Sequence, residues 1–241
     1  MKHLSKKFKS LSLPLAVAAV ATTSSVQAAE FSVEIENLTR GTYFTPLAVA
    51  AHPAGTSLFE LGGTASAEVQ AIAEGGSLTS AGALLTSIGA TQANNPAGGL
   101  LAPGASATAM LNTDGTSNVL LTVMGMILPT NDGFVALNSI EIPTEAGTYT
   151  YFARAYDAGT EANDEVRGSG DSGMPGFPVP PPIDAEIGTG GTGVTGATAE
   201  GFIHVHRGVL GDTNATGGTS DIDSTLHRWL NPVAKITITV N

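Results

Sequence analysis

The chain has 241 residues, no cysteine, 21 acidic against ten basic residues, and a formal net charge of −11. That balance repels nucleic acids and anionic lipid surfaces and attracts cations, so nucleic-acid binding is set aside. Without disulfides the fold relies on core burial, for which a chain of this length has enough material in one domain.

Residues 1–28 read as an export leader rather than as fold. Lys2, Lys6, Lys7 and Lys9 form a positive start, Leu11 to Ala21 is a short apolar core, and Val26-Gln27-Ala28 supplies small residues for a signal peptidase. The apolar run is too short to cross a bilayer, which takes ~20 residues, and no later stretch could anchor the chain. The expectation is cleavage near Ala28, delivery to the periplasm or the extracellular medium, and one domain over 29–241. Four basic residues leave with the leader, so six remain against 21 acidic ones, a net charge of −15.

Phe31, Val33 and Ile35 alternate with Ser32, Glu34 and Glu36, the pattern of a half-buried strand, and the Asn37–Gly41 turn ends it. Phe44 to His52 is a second strand, closed by Pro53. A helix is expected over Ala65 to Ala73, capped by Thr64 or Ser66 and stopped by Gly75-Gly76, with a weaker one over Ala81 to Ser87. Strands then follow over Ala105–Leu111, Asn118–Leu128, Phe134–Ile142 and Thr148–Tyr156. The Asn118–Leu128 run is the most apolar after the leader, as a strand covered on both faces would be. Gly168 to Pro182 and Gly188 to Gly201 are rich in Gly and Pro and read as a long, partly mobile excursion. Gly201–Val205 and Val233–Val240 close the chain as strands. The sum is an all-β, antiparallel sandwich with one or two short helices, its first and last strands tied into the sheets.

Two acidic turns stand out. Thr130-Asn131-Asp132-Gly133 follows one strand, and Asp157, Glu161, Asp164 and Glu165 follow another. Meeting at one end of a sandwich, Asp132, Asp157 and Glu161 could converge on one hard cation such as calcium, which takes ~6–8 oxygen ligands. Asn131, Asn163 and Asp164 are further oxygen donors by proximity. The competing reading is a pair of solvated turns.

Five pieces, in order, carry a resemblance: FSVEIENLTRGTYFTPLAVAAHP, LPTNDGFVALNS, YDAGTEANDE, FIHVHRGVLGD and WLNPVAKITITV. Together they resemble the spondin domain, found toward the N-terminus of F-spondin-type matrix proteins and alone in many secreted bacterial proteins. The resemblance implies a C2-like eight-stranded antiparallel β-sandwich with a calcium site in loops at one end. Carried over by position, its ligands fall on Asp132, Asp157 and Glu161, with Glu161 standing where the family has an Asp. The segment from Gly168 to Gly201 is outside the resemblance.

His204 and His206 sit two apart in an expected strand, so both leave one face and could hold zinc, copper or iron with a third ligand. His52 and His227 are further candidates if the fold brings them near. A cupin would need a Glu four or five residues after the second His, where this chain has Leu210 and Gly211. The spacing after Asp157 does not fit an EF-hand, and there is no cysteine nucleophile or G-x-S-x-G elbow. The expectation is therefore a non-enzymatic, exported calcium-binding module for adhesion, matrix or cell-envelope interaction, its partner an extracellular polymer or surface protein. One rival is a metal-dependent enzyme using His204 and His206. The other is a calcium-dependent lipid-binding C2-like module, which the strong negative charge disfavours.

Overall fold

A computed structural model describes residues 30–241; the expected leader and its cleavage point lie outside them. Strand β1 (Glu30–Asn37) buries Phe31, Val33 and Ile35 and turns Glu34 outward, as its period-two pattern requires. The chain continues through β2 (Tyr43–Phe44) and β3 (Ala48–Pro53) into two helices, α1 (Ala67–Gly75) and α2 (Thr79–Ser87). Helix α1 starts where the Ser66 side chain accepts the Val69 N–H, and ends at Gly76, which takes the left-handed conformation (φ 64°). There follow β4 (Thr91–Gln92), β5 (Ser106–Asn112), β6 (Asn118–Leu128), β7 (Gly133–Glu141) and β8 (Gly147–Asp157). After a 3-10 turn at Pro181–Glu186 the chain closes with β9 (His204–Val205) and β10 (Ala234–Val240).

These strands form one antiparallel sheet that wraps into a nearly closed sandwich. The order along it is β4-β3-β6-β7-β8-β10-β1-β5, with β2 on β6 and β9 on β8. The first and last strands pair from Phe31 opposite Val240 to Asn37 opposite Ala234. Strand β6 is apolar on both faces for a reason visible in the packing. Val123 and Ile127 belong to the interior, with Val33, Ile35, Ile236 and Ile238. Met124 faces the other way, onto Val69, Ile72 and Leu85 of the two helices. Phe59, Phe134 and Tyr156 extend this outer layer, with ring centroids 5.1–5.5 Å apart.

The stretch between β8 and β10 corrects the expectation of a loose excursion. Phe177, Ile183, Ile187, Val209 and Ile222 are buried in the main core. Its irregular backbone is held by carboxylates instead of a strand ladder. Glu165 accepts from Leu210 N (2.6 Å), Gly211 N (2.8 Å) and Ser220 Oγ (2.8 Å). Asp221 accepts from Gly191 N (2.7 Å) and Arg167 N (3.0 Å). Asp212 accepts from the N–H groups of Asn214, Thr219 and Ser220. Charged acceptors of this kind bind roughly twice as strongly as neutral ones, so few are needed to fix a Gly-rich path.

Candidate cation site at one end of the sandwich

Strand register builds the site. On β8, Ala153, Ala155 and Asp157 alternate toward the interior, so the last of them delivers a carboxylate to the end of the core. Asp157 lies opposite Gly133 on one side and His204 on the other. Strand β9 takes up the edge of β8 just beyond the last residue pair that β10 makes with it. The preceding turn closes on itself: Thr130 Oγ1 donates to Ile127 O (2.6 Å) and accepts from Gly133 N (3.0 Å). Ala158 N donates to Asp132 O (3.1 Å), which locks the two acidic turns side by side.

Asp132 is wholly buried (0 % exposed). Its Oδ2 accepts from Thr160 N (2.7 Å), Glu161 N (3.0 Å) and Thr160 Oγ1 (3.3 Å), while Oδ1 has no hydrogen-bond partner. Burial first, and the charge of Asp157 second, push its carboxyl up to about 7, against the opposing pull of the Glu161 and Thr160 N–H groups. Asp157, 2 % exposed, accepts from Gly159 N (2.9 Å) and from Asn163 Nδ2 (2.8 Å).

Glu161 is held differently. Its Oε1 accepts from Asn131 Nδ2 (2.9 Å) and from Gly176 N, and Oε2 is buried without a partner. Burial raises its carboxyl, with Glu74 and Asp164 adding to the effect and the Asn131 and Gly176 donors opposing it. Asn131 acts as a brace: its Oδ1 accepts from Glu165 N (3.1 Å) and its Nδ2 donates to both Glu161 and Asp164. Asn163 likewise turns its amide N–H, not its oxygen, toward Asp157. Asp164 caps Val166 N (3.2 Å). The two Asn residues expected as extra oxygen donors thus orient carboxylates.

The two histidines of β9 and its exit divide into different roles. His206 is buried, with its ring 5.0 Å from that of Trp229, and its Nδ1 accepts from Gly208 N (3.0 Å). Burial, with the charges of His204 and Arg207 behind it, lowers its pKa to about 4. The ring is therefore neutral near pH 7, and its one proton sits on Nε2, 3.9 Å from Asp157 Oδ2. His204 has the opposite tautomer. Its Nδ1 donates to Val205 O (3.2 Å), so in the neutral ring the lone pair lies on Nε2, 3.6 Å from Asp157 Oδ1 and 3.8 Å from Glu200 Oε2.

Among the described residues, Asp157, Glu200 and His204 are the trio of acidic and imidazole groups whose ligand atoms all lie within 4.8 Å of one another. Glu200 was not among the sequence candidates; the Glu-x-x-x-His spacing to His204 was the available signal. His52 is far from this end, bonded to Thr56 Oγ1 and Thr122 Oγ1 (both 2.9 Å), and His227 faces Asp223 O (3.3 Å). Neither joins the cluster. What the fold and site define is an antiparallel β-sandwich with a carboxylate-rich, partly imidazole-lined end. No family model matches the chain, and no curated protein sequence matches it.

Proposed function

We propose that the protein is an exported, non-enzymatic module that binds calcium at this end of the sandwich and uses it to order the surface presented to an extracellular polymer or surface protein. The observation that carries this reading is Asp132 Oδ1: a buried carboxylate oxygen with no donor, beside a second buried carboxylate. Such an oxygen is costly unless a proton or a cation satisfies it. Asp157 and Glu161, whose Oε2 is unpartnered, are the other hard donors of the proposed set; the three carboxylates do not all lie within 4.8 Å of one another, so an ion would have to draw them together. The strong negative charge after loss of the leader and the ordered series of spondin-like segments support the same assignment.

A bound ion stabilises the folded state by mass action, ~2.7 kcal/mol at a hundredfold excess over its dissociation constant. The test is thermal denaturation of metal-free protein with and without added calcium. The melting temperature should rise with calcium in the wild type and not in Asp132→Asn. Coincident curves for the wild type sink the proposal.

A further inference from the structure

We infer that His204 Nε2, Asp157 Oδ1 and Glu200 Oε2 form a binding site for a first-row divalent transition metal of the zinc class. The inference is independent of the calcium reading, although both use Asp157.

Three observations carry it. First, the hydrogen bond from His204 Nδ1 to Val205 O fixes the tautomer in which Nε2 is a ligand rather than a donor. Second, that lone pair faces two carboxylate oxygens at 3.6 and 3.8 Å and has no hydrogen-bond partner. Three such atoms turned on one another need a proton on Nε2 or a cation between them, and a metal can take the place of that proton. The gaps exceed direct hydrogen bonds, whose N···O distances are ~2.7–3.2 Å. They lie close to the edge of a zinc tetrahedron, about 3.3–3.6 Å for bonds of ~2.0–2.2 Å. Third, the buried His206 Nε2 is also without a partner and faces the other oxygen of Asp157 at 3.9 Å. Its Nδ1 is taken by the Gly208 N–H and its Nε2 faces the oxygen of Asp157 that the trio does not use, so His206 is not counted among the ligands.

Donor chemistry sets the metal class. An imidazole with two carboxylates suits zinc and its neighbours, whereas calcium takes oxygen almost alone. Asp157 anchors the site from inside, while the side chains of His204 and Glu200 are 27 % and 32 % exposed. Three protein ligands leave the fourth position of a tetrahedron to water or another donor.

The test uses full-length processed protein stripped of metal, titrated calorimetrically with zinc and, in parallel, with cobalt read by its visible absorption. The expected result is one zinc per chain and the intense cobalt bands of a tetrahedral site. Glu200→Gln, a surface change that leaves the fold alone, should weaken zinc by at least about tenfold, and His204→Ala should abolish the cobalt bands. Asp132→Asn should lose the calcium response and keep the zinc. No zinc binding by the wild type, or equal affinities in Glu200→Gln and His204→Ala, overturns the inference, and neither outcome bears on calcium.

Discussion

Asp132 stands one residue before Gly133, the residue that faces Asp157 across β7 and β8, and the charge of Asp157 raises the proton affinity of Asp132. A carboxyl whose folded-state pKa is raised contributes stability that is complete below its unfolded value, ~3.9, and is lost as pH rises through its folded value, about 7. Relative to Asp132→Asn, metal-free wild type should therefore lose melting temperature between about pH 5 and about pH 8. Calcium should restore that loss at the higher pH.

Glu165 holds three donors with one buried carboxylate while its own backbone sits in the left-handed region, φ 60°. Glu165→Ala strands the N–H groups of Leu210 and Gly211 and should cost about 3 kcal/mol or more. Glu165→Gly removes the same bonds but relieves the backbone, so it should be about 1 kcal/mol less damaging than the Ala variant. Urea denaturation of the three proteins measures both differences. Limited proteolysis of either variant should cut first near residues 205–225.

Gly159 has φ 66°, and a Cβ there would lie 2.4 Å from Phe202 O. Gly159→Ala should thus prise β9 from β8 and cost about 1–3 kcal/mol. Gly115 has a similar φ (68°) with nothing near its missing side chain, so Gly115→Ala should show only the backbone penalty, about 1 kcal/mol. Amide hydrogen exchange at Val205 should accelerate in the first variant and not in the second.

His52 lies buried between Thr56 and Thr122, and burial lowers its pKa. A base whose folded pKa is depressed gives stability that is present above its unfolded value, ~6.5, and declines as pH falls through the lowered one. Measured in metal-free Asp132→Asn, which lacks the opposing carboxyl, denaturation midpoints should fall on acidification below about pH 6.5, and adding His52→Gln should remove that part of the slope at the cost of a lower plateau.

The elements legible in the sequence were those coded by nearest neighbours. Phe31, Val33 and Ile35 announce a strand by alternation, and Ser66 and Gly76 bracket a helix by capping chemistry. The Asp132 and Asp157 turns were legible for the same reason, each being a strand end followed by a polar loop. Glu200 was not, because it reaches Asp157 only through the pairing of β8 with β9, more than forty residues apart. The segment from Gly168 to Gly201 misled in the other direction. Its composition argues for freedom, but Glu74, Glu161 and Asp221 accept from its Gly173, Gly176 and Gly191 N–H groups, and those partners lie outside the segment. The direction of the Asn131 amide is set by one backbone N–H, at Glu165, that local pattern cannot foretell.

Strand β8 runs from Gly147, opposite Val240, to Asp157, opposite His204. Ten steps of ~3.3 Å along its 11 residues put the acidic tip about 33 Å from the place where Phe31 and Val240 meet. A tether joined to either of these residues would hold the tip pointing outward, like a blade on its handle. Opposed forces applied at both would open the β1–β10 seam bond by bond from that far corner, so such a load would split the handle while the blade kept its shape.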